Sequence, residues 1–112
     1  QTEALSVIDV NSGKNVTKAK SMEAIEASAL KTNLEAADKL CQQIKIRNLS
    51  GIIIVDFINM NQRNCDILME HLKSLAKKDI VSTTIVDITK LGLVEITRKK
   101  IGKSLSESLN KA

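Results

Sequence analysis

Two aspartates and an asparagine are the residues of this chain best suited to chemistry. Asp9 and Asn11 stand two apart in "SVIDVNSGKN", residues 6–15, and Asp56 falls near the end of the apolar run "GIIIVDFI", residues 51–58. Residues two apart on a strand share a face, so Asp9 and Asn11 point the same way. A carboxylate on a core strand carries a large desolvation cost unless it is paired or holds a metal. If the two strands are parallel neighbours, both aspartates lie at C-terminal strand ends about 4.8 Å apart. That edge is where open α/β sheets place their functional crevice. Two carboxylates and a neutral amide are all oxygen donors and suit Mg²⁺, which keeps several waters and takes one or two protein carboxylates. An ion held there can polarise a phosphodiester and lower the pKa of an attacking water. An Asp at a strand end can equally cap the following turn, and Asn-Ser-Gly is itself a turn signal. Spacing alone leaves both readings open.

Other chemistries find less support. His71 is the single histidine and falls mid-helix, so no Ser or Cys triad is visible. Cys41 and Cys65 lie on separate predicted helices with no CxxC pair, so no zinc site is expected within this chain. Reduced, packed thiols and a cytoplasmic location are the corresponding expectation. "NSGK" is not a P-loop, and no GxGxxG occurs.

The elements that must position these residues follow from periodicity. Leu5 to Val10 reads as a strand with Leu5, Val7, Asp9 and Asn11 on one face and Ser6, Ile8 and Val10 on the other. Gly13 breaks it, and "KNVTKAKS" reads as a polar loop. Met22 to Leu30 is weakly helical. A firmer helix is predicted from Thr32, where "TNLE" matches a capping box, with Leu34, Ala37, Cys41 and Ile44 in one stripe and Gly51 as its stop. "GIIIVDFI" is a β-branched run of the kind covered on both faces. A helix over 62–77 follows, with Leu68, Leu72 and Leu75 in register, then strands in "VSTTIVDI" and "LVEIT". The tail from 99 to 112 carries Leu105 and Leu109 at helical spacing and is expected to fray. The order predicts an α/β fold: a mixed, largely parallel sheet flanked by helices.

Composition bounds the rest. The 112 residues make one domain, or one piece of a larger one, 43% hydrophobic and 27% charged, which argues against disorder. Phe57 is the one aromatic residue, so the core must be aliphatic and no stacking platform for single-stranded nucleic acid can be built from this chain. A net charge of +4 is compatible with a polyanionic partner. No apolar run approaches a membrane span. The first residues run almost straight into a strand, as in a segment excised from a longer protein.

Three blocks together carry a resemblance: "ALSVIDVNSGK", residues 4–14; "KTNLEAADKLCQQIKIRNLSGIIIVDFINM", residues 31–60; and "KLGLVEITRKK", residues 90–100. In this order they resemble the ribonuclease E/G family, in the deoxyribonuclease I-like subdomain of its catalytic region. The resemblance implies part of a Mg²⁺-dependent endoribonuclease, with Mn²⁺ as the alternative ion, that hydrolyses single-stranded RNA in RNA processing and decay. Asp9 and Asp56 would then hold the metal, and Asn11 would hydrogen-bond near the scissile phosphate. It also implies a homo-oligomeric full-length enzyme. The family's RNA-binding barrel, 5′-phosphate pocket and zinc-bridging cysteines have no counterpart in this chain. A fragment without them is expected to be poorly active alone, or to serve as a structural, dimerisation module with a degenerate metal site.

Two departures stand out. Asn59 replaces a second Asp of "DFIDM", and "KKDIVSTT", residues 77–84, lacks basic residues usual after the equivalent Asp79. For RNA-phosphate contact the candidates are Lys14, directly after "DVNSG", and Arg98 and Lys100 after the last strand.

Overall fold

The computed structural model describes residues 5–10, 21–79, 81–88 and 92–100. Strand β1 (Leu5–Asp9) leads to helix α1 (Met22–Arg47), strand β2 (Gly51–Asp56), helix α2 (Gln62–Lys77), and strands β3 (Thr83–Ile88) and β4 (Leu93–Arg98). The sheet order is β1-β2-β4-β3. β1 and β2 are parallel, whereas β4 runs antiparallel to both β2 and β3. The α/β expectation holds, but the balance is one parallel pair against two antiparallel ones rather than largely parallel. The short connection between β3 and β4 sets this, because a parallel return needs a crossover of a dozen or more residues.

Helix α1 starts ten residues before Thr32. Ser21 is its N-cap, in extended backbone, with Oγ accepting from the Ala24 N–H at 3.1 Å. The Thr32–Glu35 pattern is therefore internal to one 26-residue helix. A capping box needs an extended entry, and no Gly or Pro between Met22 and Lys31 supplies one. The buried stripe is Ala29, Asn33, Ala37, Leu40 and Ile44, with Leu34 and Cys41 half-buried at its flank. Glu23 in the first turn and Lys45 and Arg47 in the last suit the helix dipole. The helix stops at Asn48, left-handed at φ 51°, rather than at Gly51.

Helix α2 matches its predicted bounds. The Asn61 side chain caps it by accepting from the Asn64 N–H at 2.9 Å, and Leu68 and Leu72 are its buried pair. Both helices pack on the same face of the sheet. There Ile53, Val55 and Phe57 of the β2 segment, Val94 and Ile96 of β4, and Ile85 of β3 form one core with Ala37, Leu40, Ile44, Leu68 and Leu72. Each large side chain so enclosed contributes roughly 1.5–3 kcal/mol. The expectation of a β2 covered on both faces fails here, since Ile52 and Ile54 point to a face that no described helix covers. On that face Leu5 is 64% and Val7 70% exposed.

Cys41 and Cys65 are free thiols, as expected. Burial pushes the Cys41 thiol up to about 11, with Lys45 pulling the other way, so it stays protonated at neutral pH. No described helix is long and apolar enough to cross a membrane.

Candidate metal centre

The period-two alternation of β1 and β2 and their parallel register bring the two aspartates together. Asp9 and Asp56 are direct register partners at the C-terminal ends of adjacent strands. In register they share one face, the open one, where Asp9 is exposed and Asp56 half-buried. The ladder continues one step past them, with the Val10 N–H donating to the Asp56 carbonyl at 2.9 Å. Asp9 therefore sits on an exposed edge strand, not a core strand, and the desolvation cost expected for it does not arise.

Neither carboxylate meets a cation or hydrogen-bonding side chain among the described residues. The ion pairs there are His71–Asp38 at 2.7 Å, which links α2 to α1 on the surface, and Arg98–Asp79. Two adjacent like charges repel unless a cation lies between them. No set of three His, Cys, Asp or Glu side chains clusters among the described residues, so the site is a carboxylate pair rather than a protein cage. A pair of carboxylates with solvent access fits a hydrated hard cation such as Mg²⁺. Asn11 and Lys14 lie outside the described residues.

The loop after Asp56 is pinned from several sides. The Phe57 N–H donates to the Gly92 carbonyl at 3.2 Å. The Asn33 side chain pairs with both backbone groups of Ile58. The Glu26 carboxylate accepts from the Asn61 N–H at 2.8 Å and from Asn64 Nδ2 at 2.7 Å. Gly92 has φ +84°, and a Cβ there would stand 2.7 Å from Asn59 Oδ1 and 3.1 Å from the Phe57 carbonyl. Asn59, which stands where the resemblance has a second Asp, thus lies against Gly92 at the rim that carries Asp56.

The basic candidates after β4 are elsewhere. Arg98 pairs with Gly51 and Leu93 with Asp56, so the two rims are separated by five residue steps of β2, about 17 Å. Lys100 is exposed, but it follows Arg98 past that far rim. Arg98 is buried at 3% exposure. Its Nε donates to Asp79 Oδ2 at 2.7 Å, and Nη2 donates to Asp79 Oδ1 at 3.3 Å. Nη1 donates to Asn48 Oδ1 and to the Leu49 carbonyl, both at 2.8 Å. The expected phosphate contact is corrected: this guanidinium joins α1, α2 and β4. Counting by two from Val94 and Ile96 puts Arg98 on the inner face, a signal that its place in the "TRKK" run obscures.

Asp79 completes the pair. Burial raises its pKa, but the Arg98 hydrogen bond, the Val81 N–H, the Thr83 hydroxyl and the Arg98 charge outweigh it, leaving the carboxyl at about 2. Asp79 was notable in sequence only for basic residues missing after it.

Residues 1–101 match the family model described as Ribonuclease E/G family. The chain is 45% identical over 107 residues to Ribonuclease E of a Synechocystis species, covering 95% of this chain and 15% of that protein. It is 45% identical over 108 residues to a Ribonuclease E/G-like protein of Porphyra purpurea, covering 94% of this chain and 20% of that one. Against Ribonuclease G of Escherichia coli the identity is 37% over 110 residues, covering 97% of this chain and 22% of the relative. The chain thus spans between about a seventh and just over a fifth of the length of these relatives.

Proposed function

Because this chain belongs to the ribonuclease E/G family, we propose that it is the metal-binding part of an endoribonuclease that hydrolyses phosphodiester bonds in single-stranded RNA. The supporting observation is the Asp9–Asp56 register pair at an open sheet rim, with no cation from the described residues beside either carboxylate. The proposed cofactor is Mg²⁺, or Mn²⁺ in its place, held by Asp9 and Asp56. When bound, such an ion polarises a phosphoryl oxygen and lowers the pKa of an attacking water.

The residues of the chain supply the rest of the logic. Asp9 and Asp56 put two negative charges where a phosphodiester carries a third, so the pair alone repels the substrate. It needs a cation to become a phosphate site. The parallel strands fix the two Cα positions without a flexible loop, which favours a defined coordination geometry. Asn11 is assigned a hydrogen bond to the phosphate, and Lys14 a charge contact beside it. Arg98 is withdrawn from this set by its pairing with Asp79, and Lys100 lies beyond the far rim. Substrate orientation is worth several kcal/mol of barrier. In this reading it comes from parts of a longer, homo-oligomeric, cytoplasmic enzyme, so the chain alone cleaves RNA poorly.

A second reading draws on a different observation. The open sheet face carries Leu5, Val7, Ile52 and Ile54, which suits a structural module that packs on another part of the same enzyme or on a second copy. Sedimentation at several concentrations separates the two: a stable dimer with no affinity for divalent ions favours the module.

The nuclease reading is tested in an enzyme that contains this chain, using a labelled single-stranded oligoribonucleotide and Mg²⁺. Asp9→Asn and Asp56→Asn should each lower kcat about a hundredfold or more, the scale of losing one preorganised electrostatic group. Undiminished cleavage by either variant would overturn it.

A further inference from the structure

Among the described residues, Asn33 and Arg98 are the polar or charged ones buried as whole residues, and Asn33 has no exposed surface. It sits in the interior of α1, where an amide side chain is an indifferent helix former, so a tertiary partner must account for it. That partner is a single residue. Asn33 Nδ2 donates to the Ile58 carbonyl at 2.9 Å, and Asn33 Oδ1 accepts from the Ile58 N–H at 3.1 Å. The amide therefore satisfies both backbone groups of Ile58, as a neighbouring strand would.

Ile58 is two residues past Asp56, where β2 has ended. Three consecutive residues are held there by three different elements. The Asp56 carbonyl accepts from Val10 at the end of β1, and the Phe57 N–H donates to Gly92 at the start of β4. Ile58 is held by Asn33 of α1. Without the third anchor, the chain leaving Asp56 would have two unpaired backbone groups in a partly buried place and would relax to find partners.

We propose that Asn33 is a positioning residue for Asp56: by clamping Ile58 it fixes the backbone that carries the Asp56 carboxylate and so sets the geometry of the carboxylate pair. This rests on the reading of Asp9 and Asp56 as the metal site. Asn33 touches neither the ion nor the RNA and acts through the main chain, as outer-shell partners do when they orient metal ligands.

The test compares Asn33→Leu, which removes both hydrogen bonds at similar volume, and the milder Asn33→Ser with Leu72→Ala, a core truncation in the second half of α2. Mn²⁺ affinity is measured by water-proton relaxation at a temperature where circular dichroism reports each variant folded. Amide exchange of Val10 and Phe57 is measured without metal. Both Asn33 variants should weaken Mn²⁺ binding about tenfold, the scale of losing an outer-shell partner, and selectively speed exchange at Val10 and Phe57. Leu72→Ala should leave Mn²⁺ affinity unchanged and show no such selectivity. Wild-type Mn²⁺ affinity in a folded Asn33 variant would overturn the proposal, and so would failure of both variants to fold, which would make Asn33 a determinant of the whole fold. If the wild-type chain itself does not bind Mn²⁺, the metal reading fails instead. The exchange data then decide alone: selective acceleration at Val10 and Phe57 upholds the clamp, and uniform acceleration overturns it.

Discussion

At one rim of the sheet Asp9 and Asp56 stand side by side with no cation from the described chain between them. At the other, Asp79 meets Arg98 at 2.7 Å, and their side chains are 5% and 3% exposed. The residue type is the same, and the surroundings are opposite. Arg98 neutralises Asp79, and Thr83 and the Val81 N–H supply further donors, so that carboxylate is spent on joining α2 to β4. The pair at the first rim contributes no such tie and keeps its charge available. Within one small domain, the presence or absence of an internal cation separates a carboxylate that holds the fold from carboxylates free to hold something else.

This contrast can be broken most severely at the far rim. Arg98→Met leaves Asp79 buried without its charge partner and should cost about 3–5 kcal/mol in urea unfolding. A loss below about 1 kcal/mol would mean that the pair is not a structural tie. Next in size is the pH dependence of stability. Asp79 is held at about 2 against an ordinary 3.8, a depressed carboxyl. Its contribution, about 2 kcal/mol, is therefore fully present above the unfolded value and lost as pH falls from about 4 towards 2. Urea midpoints across that interval should fall for the wild type and flatten in Asp79→Asn.

At the near rim, Gly92→Ala forces a Cβ to within 2.7 Å of Asn59 Oδ1 at φ +84°. It should cost about 1–3 kcal/mol of thermal stability. The smallest effect on stability belongs to the pair itself. Asp9→Asn and Asp56→Asn remove a like-charge repulsion and should leave the urea midpoint unchanged or slightly raised, while removing the affinity for divalent ions. A large destabilisation by either would place that carboxylate in the same class as Asp79.

Local pattern made much of this legible. Helix α2 follows from unambiguous periodicity and strand β2 from its β-branched apolar run, and the adjacency of Asp9 and Asp56 follows from joining two strands through a helical crossover. What escaped depends on contacts far apart in sequence. Arg98 and Asp79 are 19 residues apart, and nothing in "TRKK" distinguishes a buried guanidinium from solvated lysines. Asn33 meets Ile58 across 25 residues, and within "TNLE" it looks like part of a helix start. The exposure of β1 was missed because alternation tells which residues share a face, not whether anything covers it. The same limit explains why both helices on one face went unforeseen: the β-branched run of β2 supplies apolar residues for two faces, and the described helices cover one.

Calorimetric titration of Mg²⁺ into the wild-type chain and into Asp9→Asn and Asp56→Asn, with folding checked by circular dichroism, puts the carboxylate pair to trial directly. The wild type should take up one ion, and each single variant should lose that binding while keeping its fold. Uptake by both folded variants with wild-type affinity would contradict the assignment of the site.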